Sequence, residues 1–348
     1  MVNPNSCCTL EALQSLNRCL ERLDWAFQST TELVICRQLE AAVDAGVFCS
    51  SMPLPNAAEI ALIGLEMKTF KWCAATLGLI AFCPVVWAQF GTTPAELDLI
   101  RVQDDIYVIH NEAVPGNITA LVTDAGVLLV DTKYAIDHDN VMRLLRTVTD
   151  QPVKYVVDTH YHDDHSGANA NHQAGDARVI AAEKARAKML EAGRSEGLPD
   201  VTLDSHTRIH LGGRRADVYY FGRSHTDGDV VVHFPDHGVI SMGDMFTHGE
   251  GLAQLVDYAG GGSARAWTAT VDAALRLDFE TVIPGHGVVT DKAMLRSFRE
   301  STVRLQEMVR AMLHQQRSRD DIATMLRTEF GYQDFHLASL DGLLVELR

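Results

Sequence analysis

The sequence predicts an α/β protein in which two sheets pack face to face with helices on the outside. Short apolar segments bounded by turn signals lead into stretches of helical spacing, and this order occurs twice along the chain. The two series also echo each other, because "GVLLVD" and "GVISMGD" both close a strand with an aspartate. Each sheet has an apolar face to hide, so paired series of this kind bury sheet against sheet under outer helices. A third observation concerns chemistry. The stretch "THYHDDHSG", Thr159 to Gly167, crowds histidines and aspartates just where the apolar run "VKYVV" ends.

In the first series "DIYVIH", "NITALVTD" and "GVLLVDT" read as strands, with a tight turn at Asp124 and Gly126. "DHDNVMRLLRTVT" sets Val141, Leu144, Leu145 and Val148 at helical spacing. "VKYVVD" is the next strand, and the histidine cluster is expected on an irregular loop beyond it. "ARVIAA" follows as a strand and "AEKARAKMLEAG" as a helix closed by Gly193. From Thr207 the strands are "TRIHLG", "ADVYYFG", "DVVVHF" and "GVISMGD". "SARAWTATVDAALRL" is a helix, "ETVIP" a strand and "DKAMLRSFRESTVRLQEMVRAML" a long helix, and "SRDDIATMLRTEF" is the last helix expected.

Composition narrows the partners. The 348 residues are 47% apolar, enough for a well-filled core, and 30 Lys and Arg against 46 Asp and Glu give a formal charge of -16. Such an acidic chain repels phosphate backbones and anionic lipid, so the expected partner is a small molecule and not nucleic acid. All seven cysteines (Cys7, Cys8, Cys19, Cys36, Cys49, Cys73 and Cys83) precede residue 89. The main body therefore has no thiolate to offer a metal, and any metal site there is built from His, Asp and Glu.

"MKTFKWCAATLGLIAFCPVVWAQF", Met67 to Phe90, reads as a secretory signal: Lys68 and Lys71 precede an apolar run, and Val86 and Ala88 stand before Gln89 as at a cleavage site. Export to the periplasm or medium is expected, with no stable membrane anchoring once 67–88 is removed. Residues 1–66 are read as an N-terminal extension, with Met67 favoured as the true start, and residues 89–348 as one main domain. The sequence leaves the oligomeric state open.

In "HYHDDH", His160 and His162 can face one ion while Asp164 and His165 turn to a second. Three histidines at this spacing should arise by chance roughly 0.03 times in the chain. Imidazole and carboxylate suit zinc, and iron or manganese also. "GRSHTDGD" adds His225, "SMGD" adds Asp244 and "IPGHG" adds His286 in a glycine turn, all at strand ends where loops carry chemistry.

In the order "VDT", "HYHDDH", "SHTDGD", "MGD", "PGHG", these motifs resemble the metallo-β-lactamase fold superfamily over roughly residues 97 to 315. The resemblance implies an αββα four-layer sandwich of two mixed sheets with outer helices and a binuclear site at one edge. It implies two Zn2+, one held by His160, His162 and His225, the other by Asp164, His165 and His286, with Asp244 between them. Asp131 resembles the family's buried aspartate that fixes a ligand tautomer, and Asp229 is expected to support the turn at Thr226.

Two adjacent cations lower the pKa of a shared water, so hydroxide is available at neutral pH to attack a carbonyl. Asp164 is the expected catalytic residue, aiming that hydroxide. The expectation is a metal-dependent hydrolase of a cyclic amide or ester, with β-lactamase-type activity leading. A glyoxalase-II-like thioesterase or a lactonase is the alternative. Asp at position 244 favours that alternative, because one group of family lactamases has cysteine there and another a small residue. A mononuclear iron oxygenase would leave His165 and His286 unused, and a non-catalytic module would not keep every ligand position filled. His248, Tyr258 and a flap formed by "HNEAVPGNI" are further candidates to touch substrate.

Overall fold

A computed structural model describes residues 93–112, 114–249 and 254–348. The extension 1–66 and the signal-like segment 67–88 lie outside the described residues. Seven strands form the first sheet, in chain order from edge to edge: β1 (Asp98–Arg101), β2 (Ile106–His110), β3 (Ile118–Thr123), β4 (Gly126–Val130), β5 (Val153–Val157), β6 (Arg178–Ala182) and β7 (Val201–Leu203). β1 to β4 are antiparallel neighbours, whereas β4 to β7 run parallel. Parallel neighbours need crossovers. These are helix α1 (His138–Leu145), the short helices α2 (Asp163–Ser166) and α3 (Asn169–Ala174), and α4 (Glu183–Glu191).

The second sheet has six strands: β8 (His206–Leu211), β9 (Arg214–Tyr219), β10 (Val231–Phe234), β11 (Val239–Ser241), β12 (Thr281–Ile283) and β13 (Thr290–Asp291). Only β11 and β12 are parallel, joined through helix α5 (Ala264–Ala274). Helices α6 (Lys292–His314), α7 (Arg319–Phe330) and α8 (Leu340–Leu347) complete the chain. None of the described helices is long and apolar enough to cross a membrane.

Strand alternation assigns the layers. In β4, Leu128 and Val130 point between the sheets, where they meet Val218, Val232 and Phe234, while Val127 and Leu129 turn outward to Val141 and Leu145 of α1. In the second sheet Val231, Ile240 and Val282 face outward, onto Trp267, Leu305 and Leu326 of α5 to α7. The result is the αββα sandwich expected from the sequence.

The layering also positions the loops. β4 and β5 run parallel, so their carboxyl ends share one edge of the first sheet. β11 and β12 do the same in the second. Asp131 and the histidine motif follow the first pair, and Asp244 and His286 follow the second.

The structure departs from the sequence expectation at three places. The histidine motif is not a wholly irregular loop, because Asp164 and His165 lie on the one-turn helix α2 with His162 extended at its N-cap. "SRDDIATMLRTEF" is not the last helix, since α8 follows it. The edge strands β1 and β7 were too short and too exposed to give a periodic signal.

Candidate metal centre

All seven residues singled out in the sequence as metal ligands meet at that common edge, drawn from four segments of the chain. His160 Nε2 lies 3.0 Å from His162 Nδ1, which lies 3.1 Å from His225 Nε2. Beside them, His165 Nε2 and His286 Nε2 approach to 3.2 Å, with Asp164 Oδ2 3.5 Å and 3.4 Å away respectively. Asp244 lies between the two groups. Its Oδ1 is 3.3 Å from both His165 and His286, and its Oδ2 is 3.7 Å from His225.

The outward nitrogens explain why the inward ones are bare. His165 Nδ1 donates to Asp131 Oδ2 at 2.8 Å. His225 Nδ1 donates to the carbonyl of Leu255 at 2.6 Å, and His162 Nε2 donates to Asp257 Oδ2 at 3.0 Å. The Thr159 hydroxyl donates to Asp131 Oδ2 at 2.9 Å, so at 3.1 Å it accepts from His160 Nδ1. In each ring the outward nitrogen holds a proton against an acceptor, which leaves the inward nitrogen as the one that would face a cation. That is the tautomer a metal-binding histidine needs. Nitrogen atoms at 2.0–2.1 Å around a tetrahedral ion stand about 3.3 Å apart, close to the separations seen here.

Charge points the same way. Burial, and then the neighbouring His165 and His162, keep His160 neutral, well below the usual histidine range. His286 behaves oppositely: burial would lower it, but Asp244 and Asp164 outweigh burial and push it up to about 10. His165 is raised against burial by Asp244, Asp164 and Asp131. This half of the site therefore favours positive charge. Asp244 Oδ1 is buried and accepts no well-formed hydrogen bond, as an oxygen reserved for a cation would be. Imidazole nitrogens with carboxylate oxygens and no thiolate fit a pair of divalent ions of the zinc type. Three groups of donors, His160 with His162 and His225, His160 with His165 and Asp244, and Asp164 with His165 and His286, are each compact enough to hold one.

The backbone is shaped to match. Asp131 has a φ of 67°, a left-handed conformation in which Asp is among the few side chains tolerated. It aims one carboxylate at both His165 and the Thr159 amide. Asp229 accepts from the backbone amide of Thr226 at 2.9 Å and from Ser224, as expected, and so fixes the turn that carries His225.

The family model of the metallo-beta-lactamase superfamily matches residues 111–286. The chain belongs to that superfamily. This superfamily member is a metal-dependent hydrolase, and its relatives agree on the fold. It is 28% identical over 205 residues to a metallo-beta-lactamase type 2 from Bacillus sp. (strain 170), which covers 56% of this chain and 76% of the relative. It is 25% identical over 203 residues to another from Bacillus cereus, with the same coverage. It is also 28% identical over 172 residues to the 2,4-dinitroanisole O-demethylase subunit alpha of Nocardioides sp. (strain JS1661), covering 48% of this chain and 51% of that one. Among solved structures, a metallo-beta-lactamase from Pontibacter korlensis superposes with a TM-score of 0.53 at 24% identity, covering 59% of this chain and 99% of its own.

Two contributors were not singled out in the sequence. Asp257 orients His162 and also accepts from the Tyr161 hydroxyl at 2.6 Å. It stands in "VDYAGGG" beside Tyr258, a residue expected to touch substrate, whose hydroxyl turns to Glu346 instead. Lys133 is fully buried, with its ammonium donating to the Gly116 carbonyl at 2.6 Å and to Asn111. Burial lowers it to about 7 against the pull of Asp137, Asp164 and Asp131. With Lys133 beneath it, the segment expected to be a flap is tied down at its second half. The amide of Gly116 donates to the Asp164 carbonyl, and that of Asn117 to the Gly285 carbonyl. His248 lies beside the centre, its amide donating to the His286 carbonyl.

Proposed function

We propose that this chain is an exported hydrolase with two zinc ions that opens a cyclic amide or ester, β-lactams first. Its ligands would be His160, His162 and His225 for one ion and Asp164, His165 and His286 for the other, with Asp244 bridging. The observation that carries the two-ion reading is Asp244, which turns one oxygen toward each donor group. Bound there, such ions would supply hydroxide at neutral pH and polarise a carbonyl. The chain's own residues do the rest. Asp164, its pKa held low by His165 and His286 against burial, stays ionised and accepts a hydrogen bond from the attacking group. Asp131, Asp257 and the Leu255 carbonyl keep the imidazoles in register as charge develops.

The two Bacillus relatives are named as lactamases, which supports the lactam reading. A thioesterase or lactonase remains the second reading because of the aspartate at position 244. Export rests on the signal-like residues 67–88. The test is zinc content of the purified protein, followed by turnover of a chromogenic cephalosporin, an acyl-homoserine lactone and lactoylglutathione. Cephalosporin hydrolysis with two zinc ions per chain is expected. Turnover of the thioester alone would replace the lactam reading, and a cytosolic protein retaining residues 67–88 would remove export.

A further inference from the structure

The loop Gln254–Ser263 orients two of the three histidines of the first donor group. Its Leu255 carbonyl accepts from His225 Nδ1 and its Asp257 carboxylate accepts from His162 Nε2. On the side facing the metal centre, the loop is tied by the Asp257 amide to the His225 carbonyl and by the Ser263 amide to the Ser224 carbonyl. These contacts hold the loop to the residues it orients. Arg223 also donates to the Gly261 and Gly262 carbonyls, the Asp227 amide to the Gly260 carbonyl and the Tyr161 hydroxyl to Asp257. A further set of anchors comes from the end of the chain, beyond the stretch matched by the family model.

Glu346 on α8 supplies most of them. One of its carboxylate oxygens accepts from the Tyr258 hydroxyl at 2.8 Å and from the Ala264 amide at 2.8 Å, and the other accepts from Ser263. Glu346 therefore joins the residue after Asp257 to the first turn of α5, a rigid helix whose Trp267 donates to the Met245 carbonyl beside Asp244. Gly342 of α8 lets the Tyr258 ring approach so closely that a Cβ there would lie 2.3 Å from it. At the other end of the loop, the buried Tyr332 hydroxyl donates to the Gln254 carbonyl at 2.6 Å.

We propose that Glu346 is a positioning residue for the metal centre, acting through Tyr258 and the loop to hold Asp257 and Leu255 against His162 and His225. The inference rests on the reading of these histidines as ligands of one ion. Removing the carboxylate leaves Tyr258 and the Ala264 amide without their acceptor and lets the loop drift from the imidazoles. Ligand orientation is worth about tenfold to a hundredfold in metal affinity when its direct partner is lost. A residue one step further out should sit at the low end.

The experiment is chelator competition on the full chain, giving separate dissociation constants for the two equivalents of zinc. Asp257→Asn marks which equivalent belongs to His162. Glu346→Ala, and Tyr258→Phe as a milder second variant, should weaken that same equivalent about tenfold and leave the other within about twofold. Glu346→Gln, which keeps an acceptor for Tyr258 and Ala264, should restore it. Because the two residues act in series, Glu346→Ala should add less than half its effect in the Asp257→Asn background. A lower melting temperature with both constants unchanged would reduce Glu346 to a structural role and overturn the proposal. If Asp257→Asn itself shifted neither equivalent, the ligand reading of His162 would fail first and the proposal with it.

Discussion

A methyl group at Gly285 would sit 2.1 Å from Asp244 Oδ1, and a side chain at Gly116 would meet the His165 ring at 2.2 Å. These glycines are chosen for close approach, since neither is needed for a positive φ. Gly285→Ala should therefore push Asp244 from its place between the two donor groups while the sandwich stays folded. The expected outcome is loss of at least about tenfold in affinity for one zinc equivalent, read by titration, with little change in circular dichroism. The sequence shows a glycine on each side of His286, which signals a sharp turn. It does not show that Asp244 occupies the space a side chain at Gly285 would need. The same holds for Asp131, whose motif was legible while its partner His165 was fixed only by folding.

At the scale of elements, α3 carries a feature unrelated to metal. His172 is buried, its ring edge-on to His138 at 4.7 Å, and its Nε2 has no hydrogen-bond partner. Burial, and then His138, lower His172 to about 3. Its folded-state value lies below the unfolded one, so the stability it permits is complete above about pH 6.5 and is lost as pH falls. Between pH 6.5 and 5 the loss amounts to about 2 kcal/mol. His172→Leu should remove that part of the pH dependence, measured as the difference in urea unfolding at the two pH values relative to the wild type. α8 shows why some elements escaped the sequence. "LDGLLVEL" has a glycine in its middle, a residue that disfavours helix by about 1 kcal/mol. Gly342 is there because the Tyr258 ring fills the space of a side chain, a tertiary reason that no local pattern carries.

For the whole molecule, the ions and the fold should stabilise each other. The centre joins loops of both sheets, so a metal that binds only the folded form stabilises the entire sandwich. At a free concentration of 100 times the dissociation constant each ion contributes about 2.7 kcal/mol. In a chain of this size 1 kcal/mol moves the melting temperature by about 2–4 °C. Chelation should lower it by at least about 5 °C, and zinc should restore it in a calorimetric scan. An unchanged melting temperature would mean that no metal links the two sheets.

What the sequence determined alone was local or periodic: the alternating strands, the amphipathic helices, and a histidine spacing too rare to be accidental. Those patterns suffice for an αββα sandwich because each sheet and helix has one apolar face to bury. The tertiary structure decided which carbonyl or carboxylate takes the outward N–H of His162, His165 and His225, and that Lys133 and Glu346 brace the edge from below and behind. Such partners lie tens of residues away or more, and a hydrogen bond over that distance leaves no period in the chain. Its geometry exists only once the sheets have stacked and brought the carboxyl ends of their parallel strands to one edge.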